Sequence, residues 1–241
     1  MKNNKLLSEA FTEMAPHYEE TMDSELRKFW GWSYDHFVKK LIEHTTIREG
    51  DTVLDIATGT AVIPLTLSNQ DPKWRKIIGL DITPAMLKRA NEKIGFNPNK
   101  SSIHLACASA MVMPFPGESF DVITCGLATH HMDVPKLISE IFRLLKPNGS
   151  LTIADVGASP TWRFFLVRLF IKLLAFFYFL PTEGFARAWS EASAVSNILT
   201  AAGWENALEA AGFNDIEVIK LSTSRPFVPE PLVLRAIKNQ N

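Results

Sequence analysis

Between Thr52 and Ala154 the chain repeats one pattern, a short apolar run followed by a stretch with helical spacing. The runs are Thr52 to Ile56, Ile77 to Leu80 before Asp81, Ile103 to Ala106, Val122 to Cys125 and Leu151 to Ala154. Helical stretches follow the small-residue loop after the first run, open at Pro84 after the second, and fill 135–145 after the fourth. A helix between two strands returns the chain to the starting edge, so such strands run parallel and the helices cover both faces of their sheet. Further on, Ala207 to Ala211 is helical with Gly212 as its cap, and Ile216 to Leu221 and Val233 to Ile237 read as a closing antiparallel pair. The expected fold is α/β and Rossmann-like, a seven-stranded, mostly parallel sheet flanked by helices. With 241 residues, 46% of them hydrophobic, residues 1–241 suffice for a single domain around one large core.

Two segments stand outside the alternation. Residues 1–48 carry Leu6, Leu7, Ala10, Phe11 and Met14, then Trp30, Tyr34, Phe37, Val38 and Leu41, at helix spacing, and read as a helical N-terminal cap. Trp162 to Leu180, between Pro160 and Pro181, has the length of a membrane span but contains Arg163, Arg168 and Lys172. It also lies between the fifth strand and the last two, so a crossing would put strands of one sheet on opposite sides of a bilayer. The expectation is an apolar helical lid within 160–200, over a hydrophobic pocket. Peripheral contact with a membrane surface, and a homodimer contact or plain packing, are the alternatives.

Charge narrows the partners. The formal net charge is -1 and Lys and Arg are scattered, which argues against a nucleic-acid partner. Cys107 and Cys125 sit in apolar stretches, and polar residues stand at the N-terminus where a secretory signal needs an apolar run, so the expected location is cytoplasmic, with or without peripheral membrane contact.

In an open parallel sheet, ligands bind outside the carboxyl ends of the strands. Asp55, Ala57, Gly59, Asp81, Ser109 and Cys125 fall there. Small residues at 57, 59 and 61 allow close backbone approach, and Asp81 follows Gly59 at the distance where an acidic residue takes ribose hydroxyls. A nicotinamide pattern needs glycine at 57, 59 and 62, whereas this chain has Ala57, Gly59 and Val62. Asp55 would repel a pyrophosphate but suits a ligand that carries an ammonium and a sulfonium, and S-adenosylmethionine (SAM) carries both.

The motifs extend along the chain: Val53-Leu54-Asp55-Ile56-Ala57-Thr58-Gly59-Thr60, Asp81-Ile82-Thr83-Pro84-Ala85-Met86-Leu87, Met113-Pro114-Phe115 with Ser119-Phe120-Asp121, and Arg143-Leu144-Leu145-Lys146-Pro147-Asn148-Gly149. In order and spacing, together with Phe11-Thr12-Glu13-Met14-Ala15-Pro16-His17-Tyr18, this series resembles the UbiE-like class I methyltransferases of ubiquinone and menaquinone synthesis over about residues 8–155. The resemblance implies that Asp55 and Gly59 hold the methionine end of SAM, Asp81 takes the ribose hydroxyls, Ile82 packs on adenine and Tyr18 helps to close the site. Ala57, Ser109, Ala110 and Cys125 complete the expected cofactor set. The chain departs from the family pattern at Ala61, where glycine is usual, at Ser109, where an acidic residue is usual, and at His130-His131, where quinone enzymes carry Arg-Asn.

His131, or its neighbour His130, is the expected general base, since imidazole titrates near neutrality and stands where the acceptor should lie. No metal is expected: adjacent histidines in a loop point apart, and no further ligands stand at suitable spacing. The expected activity is methyl transfer to a hydrophobic or lipid-like acceptor, a quinol carbon or phenolic oxygen first and a phospholipid amine next. The alternative is a protein of this fold that holds SAM or its product without turnover.

Overall fold

The structure is a computed structural model that describes residues 2–70, 76–223 and 229–239; Met1, the first residue of the expected cap, lies outside them. Its strands are β1 (Thr52–Ile56), β2 (Lys76–Asp81), β3 (Ile103–Cys107), β4 (Phe120–Gly126), β5 (Leu145–Gly157), β6 (Phe213–Lys220) and β7 (Glu230–Lys238). They form one seven-stranded sheet in the order β3-β2-β1-β4-β5-β7-β6. The first five strands pair in parallel, and β7 runs antiparallel to both β5 and β6. Progress from β1 leads outward through β2 to β3, then returns to β4 on the other side of β1. That reversal opens a crevice beyond the carboxyl ends of β1 and β4, the usual ligand position in such sheets.

Apolar stripes on the helices explain how the sheet is covered. Helix α6 (Val134–Leu144) places Leu137, Ile138, Ile141 and Leu144 on one side, and with Trp204 and Leu208 of α8 (Ala201–Ala210) it covers Ile123, Ile153 and Leu234. On the opposite face, Phe37, Val38 and Leu41 of α3 (Tyr34–Glu43) join Ile63 and Leu67 of α4 (Val62–Gln70) over Val53, Ile77 and Val122. Each of these fully buried side chains contributes about 1.5–3 kcal/mol. Helix α5 (Pro84–Gly95) packs Ala90 and Ile94 against Ile103 at the β3 edge.

Local signals fix the ends. Asp133 caps α6 by accepting from the Lys136 backbone N–H, with Pro135 in the first turn. Strand β5 begins at Leu145, six residues before the expected start, because α6 passes into it directly and Gly149 permits the backbone crossing: a Cβ there would meet the Lys146 carbonyl at 2.8 Å.

The N-terminal helices do two jobs rather than one. Helix α3 belongs to the layer against the sheet, whereas α1 (Lys2–Met14) and the start of α2 (Tyr18–Phe29) stand at the crevice. The apolar segment is α7 (Phe165–Ala194), which runs past Pro181 and breaks at Gly184, whose φ of 77° is outside any helix.

Candidate functional site

The crevice is a cavity whose floor comes from strand ends. Ala57 and Gly59 follow β1, Asp81 ends β2 with Ile82 and Thr83 after it, Ser109 and Ala110 follow β3, and Gly126 ends β4 with Leu127 after it. Leu7, Phe11 and Tyr18 close it from α1 and α2, and His131 and Met132 complete the wall beyond β4.

The loop after β1 turns by left-handed backbone at Ala57, Gly59 and Ala61, with φ of 54°, 54° and 63°. Such a conformation costs an alanine on the order of 1 kcal/mol and a glycine little. The Ala61 methyl does not line the cavity; it is buried beside Ala90 and Ile94, so the departure at this position is a matter of backbone strain and not of lost ligand space. Asp81 holds the loop in place: its Oδ2 accepts from the Gly59 N–H at 2.9 Å and its Oδ1 from the Thr83 N–H at 2.8 Å. Burial nevertheless raises its carboxyl above the usual range, against these two donors.

Asp55 is fully buried and does not line the cavity. Its Oδ1 accepts from the Thr124 hydroxyl at 2.8 Å, while Oδ2 has no partner. Burial pushes this carboxyl up to about 7, with the charge of Asp81 adding to the effect. Among the described residues neither aspartate has a cationic partner. An orphaned buried oxygen and two carboxylates without a counter-ion fit a ligand that is cationic and carries hydroxyls, as SAM does.

Of the other expected cofactor residues, Tyr18, Ala57, Gly59, Ile82, Ser109 and Ala110 line the cavity. Tyr18 is kept neutral by burial, its ring edge-on to Tyr34, and Ile82 leaves an apolar surface exposed there. Cys125 does not line it. It shares the strand face of Ile123 and packs among the residues under α6, and burial raises its thiol further; the next residue, Gly126, takes the lining position.

The two histidine rings lie side by side, yet only one of them faces the cavity. The backbone between β4 and α6 forms a tight turn over Thr129–His131, and the two ring centroids lie 4.2 Å from each other. His130 faces inward. Its Nδ1 lies 2.7 Å from Asp155 Oδ1, and Asp155 also accepts from the Thr129 backbone and hydroxyl. Burial would lower His130, but the Asp155 carboxylate raises it above its ordinary value, and the same pairing holds Asp155 low despite its burial.

His131 faces the cavity, edge-on to Phe11 with centroids 5.5 Å apart. Burial, then the charge of His130, lowers its basicity and favours the neutral imidazole. Its Nε2 lies 3.4 Å from Glu191 Oε1 and its Nδ1 3.4 Å from the Ser190 hydroxyl. Glu191 pairs in turn with Arg187, Nε to Oε1 at 3.0 Å, and although burial alone would raise it, Arg187 and His131 keep it well below the carboxylate range. Arg187 also pairs with Glu25 at 3.3 Å, and burial pushes Glu25 up to about 7.

His130, His131 and Glu191 offer three ligand atoms within 4.8 Å of one another, a grouping that chain spacing did not reveal. Arg187 already forms an ion pair with Glu191, Asp155 already holds His130, and a cation placed beside a buried arginine would be repelled.

No residue of 160–200 lines the cavity among the described residues, which departs from the expected lid; Leu7 and Phe11 of α1 hold that place, and α7 packs outside α1. Residues 187–191 act from behind the wall, through His131. Asp155, Ser190, Glu191 and Arg187 were not read from the sequence. Asp155 had a signal, since it ends a parallel strand as Asp55 and Asp81 do; Arg187 and Glu191 had only their spacing of four on one helix face.

A family model described as "Methyltransferase domain" matches residues 54–153, the segment that holds β1 to β5. A demethylmenaquinone methyltransferase of Lactobacillus johnsonii is 28% identical over 90% of this chain and 88% of its own length, and one of Symbiobacterium thermophilum is 30% identical over 70% of this chain and 66% of its own. A methyltransferase solved in complex with the Haloferax volcanii Trm112 activator shares the fold, with a TM-score of 0.68 at 17% identity over 95% of this chain and 98% of its own. Fold and family together define a class I methyltransferase, with SAM as its cofactor. Within that class the chain is similar to the UbiE-like demethylmenaquinone methyltransferases.

Proposed function

We propose that the protein methylates a hydrophobic acceptor with a weakly acidic proton, a quinol or phenol, and that His131 removes the proton. One observation carries the reading: a neutral imidazole faces a cavity whose nearby walls are apolar, Leu7, Phe11, Leu127 and Met132. When bound, SAM supplies an electrophilic methyl group on a sulfonium. Asp81 takes the ribose hydroxyls with the lone pairs its two backbone donors leave free, Ile82 and Ala110 bound the adenine, Gly59 receives the methionine end, and Asp55, buried out of contact behind the cavity, attracts the cationic ligand through its field. Ser109 lines the same wall without the charge usual in the family.

His131 takes the acceptor proton at Nδ1, where the acceptor hydroxyl displaces the Ser190 hydroxyl that rests 3.4 Å away, while Nε2 stays with Glu191. Glu191 fixes the ring and stabilises the imidazolium that forms, and Arg187 keeps Glu191 ionised in its buried position. His130 is charged by Asp155 and stays behind the wall, a positioning residue that keeps its neighbour neutral. Relatives named as demethylmenaquinone methyltransferases support a quinol acceptor, although the His130-His131 pair sets this chain apart.

The test is incubation with labelled SAM and reduced demethylmenaquinone, and in parallel with a lipid extract, followed by mass identification of the product. A methylated quinol or phenol is the expected product. A labelled phospholipid amine would move the acceptor to a different chemistry, and tight SAM binding without any labelled product would leave a binding protein.

A further inference from the structure

Helix α7 is built in two parts with opposite surroundings. Beyond Gly184, Arg187, Ala188 and Ser190 are buried, and Arg187 ties the helix to Glu25 and Met14. Before Gly184 the helix is mostly uncovered, with Phe179 its one buried side chain: in its most apolar 18-residue window, of mean hydropathy 1.8, only 6% of the residues are buried. Leu166, Phe170, Leu173 and Phe177, spaced four, three and four, form one stripe and are 74%, 61%, 48% and 65% exposed. A soluble surface rarely leaves such a stripe uncovered.

We propose that this face lies in the plane of an anionic bilayer, buried at the boundary between headgroups and acyl chains. Charge selects this occupant. Arg163, Arg168 and Lys172 accompany the stripe, and no Asp or Glu stands between Asp155 and Glu183. At about 3.6 residues per turn, Arg168 and Lys172 project from the side away from Phe170 and Phe177, the arrangement of helices that lie on anionic membranes. A second copy docked symmetrically on the same face would bring two cationic segments together, which acidic lipids would not. The segment before Gly184 is long enough to cross a bilayer, at about 1.5 Å per residue. It does not cross, because β5 before it and β6 after it are joined through β7 in one sheet, and its far end is held at His131. Since α7 packs on α1 and on the turn that carries His131, docking brings the wall of the cavity towards the lipid.

This inference deepens the hydrophobic-acceptor reading and rests on it for its purpose alone, because vesicle binding is measured without turnover. The purified protein is sedimented with vesicles of phosphatidylcholine, or of phosphatidylcholine with phosphatidylglycerol. The expected result is recovery with the phosphatidylglycerol vesicles, reversed by salt or carbonate. The Leu166→Ser/Phe170→Ser/Phe177→Ser variant should lose more than about tenfold in vesicle affinity while SAM binding stays unchanged, because all three side chains are exposed. Replacement of Arg163, Arg168 and Lys172 by Gln should remove the preference for phosphatidylglycerol. The proposal is overturned if the wild type stays in the supernatant with both vesicles, if the triple serine variant binds like the wild type, or if light scattering shows a dimer that this variant abolishes. Release only by detergent would also overturn it, in favour of a crossing. Vesicle binding without any methylated product would instead sink the acceptor reading and leave the docking surface standing.

Discussion

The two ends of the cavity handle buried charge in opposite ways. At the end formed by β1 and β2, Asp55 and Asp81 are buried with backbone or hydroxyl donors and no cation, and both carboxyls are raised. At the end beyond β4, Asp155 is as deeply buried and Glu191 largely so, yet His130 and Arg187 hold both low. A buried carboxylate without a cation costs stability until a ligand supplies one, whereas a paired one is already at its minimum. The first end is thus arranged to receive positive charge, and the second to hold an imidazole still.

The largest effect expected from this contrast is on turnover. His131→Gln should lower the rate of methyl transfer by about 10²- to 10⁴-fold with SAM affinity retained, because general-base help is lost. His130→Gln should retain far more activity, and equal turnover by both variants in a single-turnover assay would erase the distinction between them.

Stability should separate the same two residues. His130→Gln leaves Asp155 buried without its cation, at a cost of about 3–5 kcal/mol. His130 is raised in the folded state, so its contribution is full below the unfolded value of about 6.5 and fades as pH rises through the folded value. Asp155 is lowered, so its contribution is present above about 3.9 and fades as pH falls. The gap in melting temperature between wild type and variant should therefore be widest between about pH 4 and 6.5 and narrow as pH rises through the folded His130 value. A gap that does not change with pH would show that the pair is not ionic.

At the cofactor end, Asp81→Ala should weaken SAM binding by about 1–3 kcal/mol in calorimetry, since two hydroxyls lose a charged acceptor and the loop loses its tie at Gly59. Wild-type affinity in a folded variant would take Asp81 out of the site.

Asp55→Asn sharpens the comparison with the smallest change. The folded carboxyl sits at about 7 against about 3.9 unfolded, so the stability it supplies is complete in acid and lost as pH rises through 7. Without SAM, the variant should be more stable than the wild type at pH 8, by roughly 1–3 kcal/mol, with the gain vanishing towards pH 4. SAM binding by the wild type should weaken as pH falls through 7, when a proton competes with the cationic ligand, and that dependence should be absent from the variant. A variant destabilised at pH 8 would mean that Asp55 is paired, and that the two ends do not differ.

The sequence by itself determined the sheet, its mostly parallel order and the residues that floor one end of the cavity. Buried strands and amphipathic helices have their own periods, and the groups after β1, β2 and β3 are fixed by a few adjacent residues, so Gly59, Asp81 and Ser109 could be placed without knowing the fold. What only the tertiary structure decided is the end beyond β4. Phe11, His131 and Glu191 come from three distant segments, and their meeting depends on how α1 and α7 pack, which no local pattern encodes. The same holds for α7. Its apolar face was legible, but the sequence could not say which way it turned, because a stripe of Phe and Leu is equally suited to cover a cavity or to lie bare, and contacts made by Arg187 and Glu191 far along the helix set the outcome.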